Sequence, residues 1–86
     1  MPWEIQLSRR ATRDIDGLPA ADSAAVRAAL HKLRDEPGAG DLKKLGGRAD
    51  EWRLRVGRRR VILSLDNRTG IILVMRVLPR DRAYRD

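Results

Sequence analysis

The chain is 86 residues long and carries a net charge of +7, with 19 Lys and Arg against 12 Asp and Glu. That length permits one domain, residues 1–86, around one modest core, and with no Phe and only Trp3, Trp52 and Tyr84 as aromatics the core must be aliphatic. The absence of Cys excludes a disulfide framework and thiolate chemistry, and no apolar run nears the roughly 20 residues that span a bilayer. With no signal-peptide pattern at its start, the chain is expected to be soluble and cytoplasmic.

The elements read in order as follows. Trp3-Glu4-Ile5-Gln6-Leu7 alternates apolar and polar residues, the period of a half-buried strand. Ser8 then stands where an N-cap belongs, and Ala11, Ile15 and Leu18 recur with the spacing of a short helix that Gly17 and Pro19 stop. A second helix is predicted from about Ala20 to Asp35, with Val26, Leu30 and Leu33 as its apolar stripe and Pro37-Gly38 as its end. So short a joint makes the two a helical hairpin. Residues 37–50, with their glycines and the pair Lys43-Lys44, read as a loop. Three strands are predicted after it, at 52–56, 60–65 and 71–78, the last two joined by the turn Asp66-Asn67-Arg68-Thr69-Gly70. The expected fold class is α+β: two N-terminal helices packed on a small twisted antiparallel β-sheet, in the order β-α-α-β-β-β.

The charge is uneven. Residues 1–40 hold six basic and six acidic side chains, whereas residues 41–86 hold 13 basic and six acidic, so the whole excess of 13 − 6 = 7 resides there. Arg outnumbers Lys 16 to 3, and the planar guanidinium fork suits phosphate and stacks on bases. In Trp52-Arg53-Leu54-Arg55-Val56, successive side chains point to opposite faces. The apolar three can therefore enter a core while Arg53 and Arg55 stand together on the other side. A register that places Val56 opposite Val61, Leu54 opposite Leu63 and Trp52 opposite Leu65 makes every pair apolar. Continuing it with Leu65 opposite Ile71, Leu63 opposite Leu73 and Val61 opposite Met75 puts Arg60 directly across from Arg76. Like charges so placed are destabilising, which predicts an anion-binding open face built from Arg53, Arg55, Arg60 and Arg76.

Several segments, taken in order, resemble the RelE/ParE superfamily of toxins from bacterial toxin–antitoxin pairs. They are the opening strand, the Arg-Arg-Ala-Thr-Arg-Asp-Ile helix ending at Leu18-Pro19, Asp35-Glu36-Pro37, and Lys43-Lys44-Leu45-Gly46-Gly47. Trp52-Arg53-Leu54-Arg55-Val56-Gly57, Arg60-Val61, Arg76-Val77-Leu78-Pro79-Arg80 and Tyr84-Arg85 complete the set. The late residues resemble the RelE branch of ribosome-dependent messenger RNA endonucleases: Arg80 is followed four positions later by Tyr84, and Arg53, Arg55 and Arg60 fall on the branch's remaining functional positions. Pro79 departs from relatives that carry His or another polar residue there, and the alternating pair is Arg where a well-known relative has Lys.

The resemblance implies a toxin that cleaves translated mRNA by attack of the 2′-OH, leaving a 2′,3′-cyclic phosphate and a 5′-OH, and that a cognate antitoxin neutralises. Arg53, Arg55, Arg60, Arg80 and Tyr84 are the expected catalytic residues. Arginines suit the stabilisation of a crowded phosphorane but stay protonated, which leaves Tyr84 as base or orienting group, its phenolate favoured by Arg80, Arg82 and Arg85. Lys43, Lys44, Arg58, Arg59, Arg76 and Arg82 are expected RNA contacts. His31, late in a helix, suits the negative end of the helix dipole better than catalysis. Asp14, Asp16, Asp35 and Glu36 lack metal-ligand spacing, and no phosphate-loop, dinucleotide or zinc pattern is present, so neither metal nor cofactor is expected. The expected partners are an antitoxin with an acidic or amphipathic segment, mRNA in the ribosomal A site, and operator DNA only through the antitoxin, with no membrane. Two alternatives are a ParE-like gyrase inhibitor without nuclease activity and a weakly active toxin that serves as co-repressor with its antitoxin.

Overall fold

A computed structural model of the chain describes residues 3–36, 38, 40–46 and 51–78. Strand β1 (Glu4–Leu7) leads into helices α1 (Arg9–Asp16) and α2 (Ala20–Asp35), followed by β2 (Asp41–Lys44), β3 (Glu51–Val56), β4 (Arg59–Asp66) and β5 (Ile71–Leu78). The strands form one sheet in the order β1-β5-β4-β3-β2, antiparallel except where β1 runs parallel to β5. The expected helical hairpin on a small sheet is found. The sheet is mixed and not wholly antiparallel, because the two helices carry the chain across from β1 to the rest of the sheet and β1 runs alongside β5 in the same direction. Within the segment read as a loop, Asp41–Lys44 pairs with β3 as an edge strand.

Ser8 caps α1 as its position suggests: its Oγ accepts from the Ala11 N–H at 3.0 Å and donates to the Met75 carbonyl at 2.9 Å, so one side chain starts the helix and ties it to β5. Gly17 ends the helix, its N–H donating to the Arg13 carbonyl. The apolar stripes of the two helices supply Ala11, Ile15, Val26, Leu30 and Leu33 to the core. The sheet answers with Leu54, Val61, Leu63, Ile72, Val74 and Val77. This is the alternation of period two expected for strands with one buried face.

Both predicted hairpin registers are corrected. The β3–β4 turn has two residues, Gly57 and Arg58, because Val56 pairs with Arg59 and Arg55 with Arg60. Gly57 has φ +59° and no non-glycine residue among those described has positive φ, the signature of the II′ turns that match strand twist. Leu54 therefore lies opposite Val61 and Trp52 opposite Leu63. A shift of two residues keeps every side chain on its expected face.

The β4–β5 register moves by one, which exchanges the faces. The Asp66 side chain accepts from the Arg68 N–H at 2.9 Å and the Thr69 N–H at 3.4 Å, and the Gly70 N–H closes the turn onto the Asp66 carbonyl. The last pair is thus Asp66 with Ile71, and Ile72 and Val74 enter the core in place of Ile71 and Leu73. An irregularity then brings Ile62 opposite Arg76 and Val61 opposite Val77, with Met75 as the extra residue of a bulge. Arg60 consequently faces Leu78, and the predicted Arg60–Arg76 pair does not exist.

Candidate nucleic-acid interface

The sheet face away from the helices is laid out by the strand registers. One cross-strand row reads Asp41, Arg55, Arg60, Leu78, and the next reads Lys43, Arg53, Ile62, Arg76. The like-charge pair expected between β4 and β5 is instead formed between β3 and β4, where Arg55 stands directly opposite Arg60. Around the turn, Arg55, Gly57, Arg58 and Arg60 line a hollow of about 340 Å³. A second hollow of about 490 Å³ shares Gly57 and Arg58 and reaches the helix side, against Asp22, Ala25 and Arg59. Three guanidinium groups around a space of that size form a positive concavity that an anion can enter.

The rest of this face is less open than the alternation suggests. Leu45, Ile62 and Leu78 form a second small apolar cluster with Met75 beside it. Arg53 is only 4% exposed, and its Nη1 lies 3.9 Å from Asp41 Oδ1. Asp41 thus stands beside both members of the alternating arginine pair, paired in register with Arg55 and close to the Arg53 guanidinium. This acidic residue was missed in the sequence because the segment carries no strand signal longer than four residues.

The expected RNA contacts divide into groups. Lys43 lies opposite Arg53 and extends the basic face, whereas Lys44 lies opposite Trp52 and belongs to the helix side. Arg58 sits in the turn, as expected. Arg59, also expected in the loop, opens β4 and its Nη2 donates to Asp22 Oδ2 of α2 at 2.8 Å. Arg76 turns to α1, where its Nε donates to Asp14 Oδ2 at 2.9 Å. The same oxygen accepts from the Val77 N–H at 2.9 Å. Because β1 pairs with β5 only as far as Val74, that N–H lies on an uncovered stretch of the strand, and Asp14 supplies the acceptor the missing neighbour would have given. Two of the arginines thus fasten the helices to the sheet. Arg80, Arg82 and Tyr84 lie outside the described residues. Among those described, no three His, Asp or Glu side chains gather as a metal site would require.

A family model described as the ParE toxin of the type II toxin–antitoxin system parDE matches residues 5–84. An archaeal relative from Methanocaldococcus jannaschii that carries the name RelE1 is 25% identical over 91 aligned positions, covering 100% of this chain and 99% of its own length. Among solved structures, RelE in the RelE–RelB complex of Pyrococcus horikoshii superposes with a TM-score of 0.82 at 27% identity, covering 96% of this chain and 100% of that one. The toxin–antitoxin complex RelBE2 of Mycobacterium tuberculosis gives 0.81 at 28% identity, with 93% and 100% covered.

Proposed function

We propose that this chain, which belongs to the ParE toxin family of type II toxin–antitoxin systems, acts as a ribosome-dependent endoribonuclease of the RelE kind on translated mRNA. The observation that carries the reading is the hollow at the β3–β4 turn. Arg55 and Arg60 are held directly opposite one another, with Arg58 completing the rim. Two guanidinium groups so placed both attract a phosphate that enters between them. In the 2′-OH attack the phosphorane gathers negative charge, and fixed guanidinium donors around it stabilise that charge most. Arg55, Arg58 and Arg60 take this role. Arg53, buried in the neighbouring row beside Asp41, adds positive field from a low-dielectric position without touching the substrate. Tyr84, as base or orienting group, and Arg80 complete the set carried over by resemblance, and Lys43 continues the basic face toward β2. Messenger RNA held in the ribosomal A site is the substrate, and a cognate antitoxin the inhibitor, as RelB accompanies RelE in the P. horikoshii complex.

A second reading has a specific observation in its favour, the ParE description of the matching family model: binding of gyrase with no hydrolytic activity. One experiment separates the two. The chain is expressed briefly in a bacterium and mRNA 5′ ends are mapped by primer extension, with Arg55→Ala, Arg80→Ala and Tyr84→Phe alongside. Cuts inside translated codons that fade in the variants support the nuclease. Growth arrest without new 5′ ends, unchanged by Arg80→Ala and Tyr84→Phe, supports the gyrase reading.

A further inference from the structure

Cleavage by attack of the 2′-OH needs a group that takes the proton from that hydroxyl, and the arginines of the hollow cannot serve, since guanidinium stays protonated. Most carboxylates among the described residues are placed elsewhere. Asp14 and Asp22 hold Arg76 and Arg59 against the helices, and Asp66 closes the β4–β5 turn. Asp16 and Asp35 stand beside Arg27 and Arg34 on the helices, Glu36 ends α2, and Glu4 lies on β1 at the other edge of the sheet. Glu51 shares the open face but lies opposite Ser64, two rows from Arg55 and Arg60. Asp41 is different. It opens β2, in the row that continues through Arg55 to Arg60. Its neighbour Leu42 packs on the core, so strand alternation turns Asp41 to the open face. Its side chain is 58% exposed, and its Oδ1 lies 3.9 Å from Nη1 of the buried Arg53. The carboxylate therefore has a fixed cation behind it and solvent in front. A base oriented by a third group is the arrangement that activates a hydroxyl nucleophile.

We propose that Asp41 is the general base that takes the 2′-OH proton. The assignment rests on the nuclease reading and adds to it the direction in which the RNA lies. The strand of Asp41 runs about 5 Å outside that of Arg55, with Arg60 on the opposite side of Arg55. With the scissile phosphate between Arg55 and Arg60, the ribose that carries the attacking hydroxyl lies on the β2 side. The 2′-OH gives its proton to the Asp41 carboxylate as its oxygen bonds to phosphorus. The bond from phosphorus to the 5′-oxygen breaks in line, on the Arg60 side, and the departing oxygen takes a proton from water. The products are the 2′,3′-cyclic phosphate and the 5′-OH, and the Asp41 carboxyl returns its proton to solvent. Arg53 acts as a positioning residue for the base, and Tyr84 keeps the orienting role.

The test is single-turnover cleavage of mRNA on programmed ribosomes by the full chain, with Asp41→Asn and Asp41→Glu beside it. Asn keeps an acceptor for Arg53 but takes no proton. Asp41→Asn is expected to lower the maximal rate by about a hundredfold and to leave the half-saturating concentration of the chain within about twofold of its natural value. Asp41→Glu restores a carboxylate at an exposed edge position and stays within about tenfold of the natural rate. Thermal unfolding followed by circular dichroism should move by less than about 2 °C in either variant. Cleavage by Asp41→Asn at the natural rate overturns the proposal. So does a loss confined to half-saturation, an equal loss in Asp41→Asn and Asp41→Glu, or a loss in step with the unfolding midpoint. The two readings fail differently: a natural chain that makes no cut brings down the nuclease reading and the base with it, whereas equal cutting by the natural chain and Asp41→Asn removes only the base.

Discussion

Asp14 offers the sharpest quantitative test of how the helices are held on the sheet. Its Oδ2 accepts from both Arg76 Nε and the Val77 N–H at 2.9 Å, and its side chain is 17% exposed. Val77 is nearly fully buried, and in Asp14→Ala its N–H loses the acceptor seen here, at a cost of about 1–3 kcal/mol. The Arg76 contact is partly solvated, so its loss adds only about 0.5–1 kcal/mol. The expected total is about 2–3 kcal/mol, a large share of the 5–15 kcal/mol typical of a domain. At about 4–8 °C per kcal/mol for this size, the midpoint of thermal unfolding followed by circular dichroism falls by about 10–20 °C. Asp14→Asn keeps an acceptor for Val77 while losing the charge, and should cost about 1 kcal/mol. The order Ala worse than Asn, and Arg76→Ala close to Asn, is the signature of a carboxylate that serves the strand edge first and the arginine second. Equal effects of Ala and Asn, both below about 0.5 kcal/mol, would refute the reasoning.

Arg55→Ala is expected to reduce ribosome-dependent cleavage by about a hundredfold while shifting the unfolding midpoint by less than about 2 °C, since Arg55 is exposed and outside both apolar clusters; a stability loss in step with activity would assign it a structural role. Gly57→Ala meets no atom within 4 Å of the new Cβ, so its cost is backbone strain at φ +59° alone, about 1 kcal/mol in urea unfolding. Leu63→Ala removes a fully buried side chain at the centre of the core and should cost about 2–5 kcal/mol by the same measurement. The Arg68 and Thr69 N–H groups hold the Asp66 carboxyl below its ordinary range. A depressed folded-state pKa contributes stability that is complete above the unfolded carboxylate pKa and is lost as pH falls through the folded value. The stability difference between the natural chain and Asp66→Ala should therefore shrink as urea unfolding is repeated from about pH 6 to about pH 3; a difference that stays constant would show that the side-chain charge is not involved.

Elements whose signal is local were legible from the residues alone. Ser8, the stripe Ala11 and Ile15, and Gly17 mark α1, while Val26, Leu30 and Leu33 mark a second helix whose limits, Ala20–Asp35, are those found. The separation of Leu54 from Arg53 and Arg55 onto two faces followed from period two and survived a register shift of two residues. β2 escaped because Asp-Leu-Lys-Lys has too little apolar pattern to declare itself, and it is a strand only because β3 offers an edge to pair with.

The register of β4 against β5, and with it the fate of Arg76, was decided by tertiary structure. Apolar residues run almost continuously through Ile71-Ile72-Leu73-Val74-Met75, so either alternate set could have faced the core. The Asp66 turn and the Met75 bulge made the choice and sent Arg76 to Asp14, while the two-residue Gly57-Arg58 turn set Arg55 across from Arg60. The sequence by itself determined the order of every element but β2, the aliphatic core and the concentration of positive charge in the second half, because composition and periodicity are properties of neighbouring residues. Which arginines fasten helices to the sheet depends on contacts between distant residues, Arg59 with Asp22 at 37 positions apart and Arg76 with Asp14 at 62, and only the folded chain brings those together.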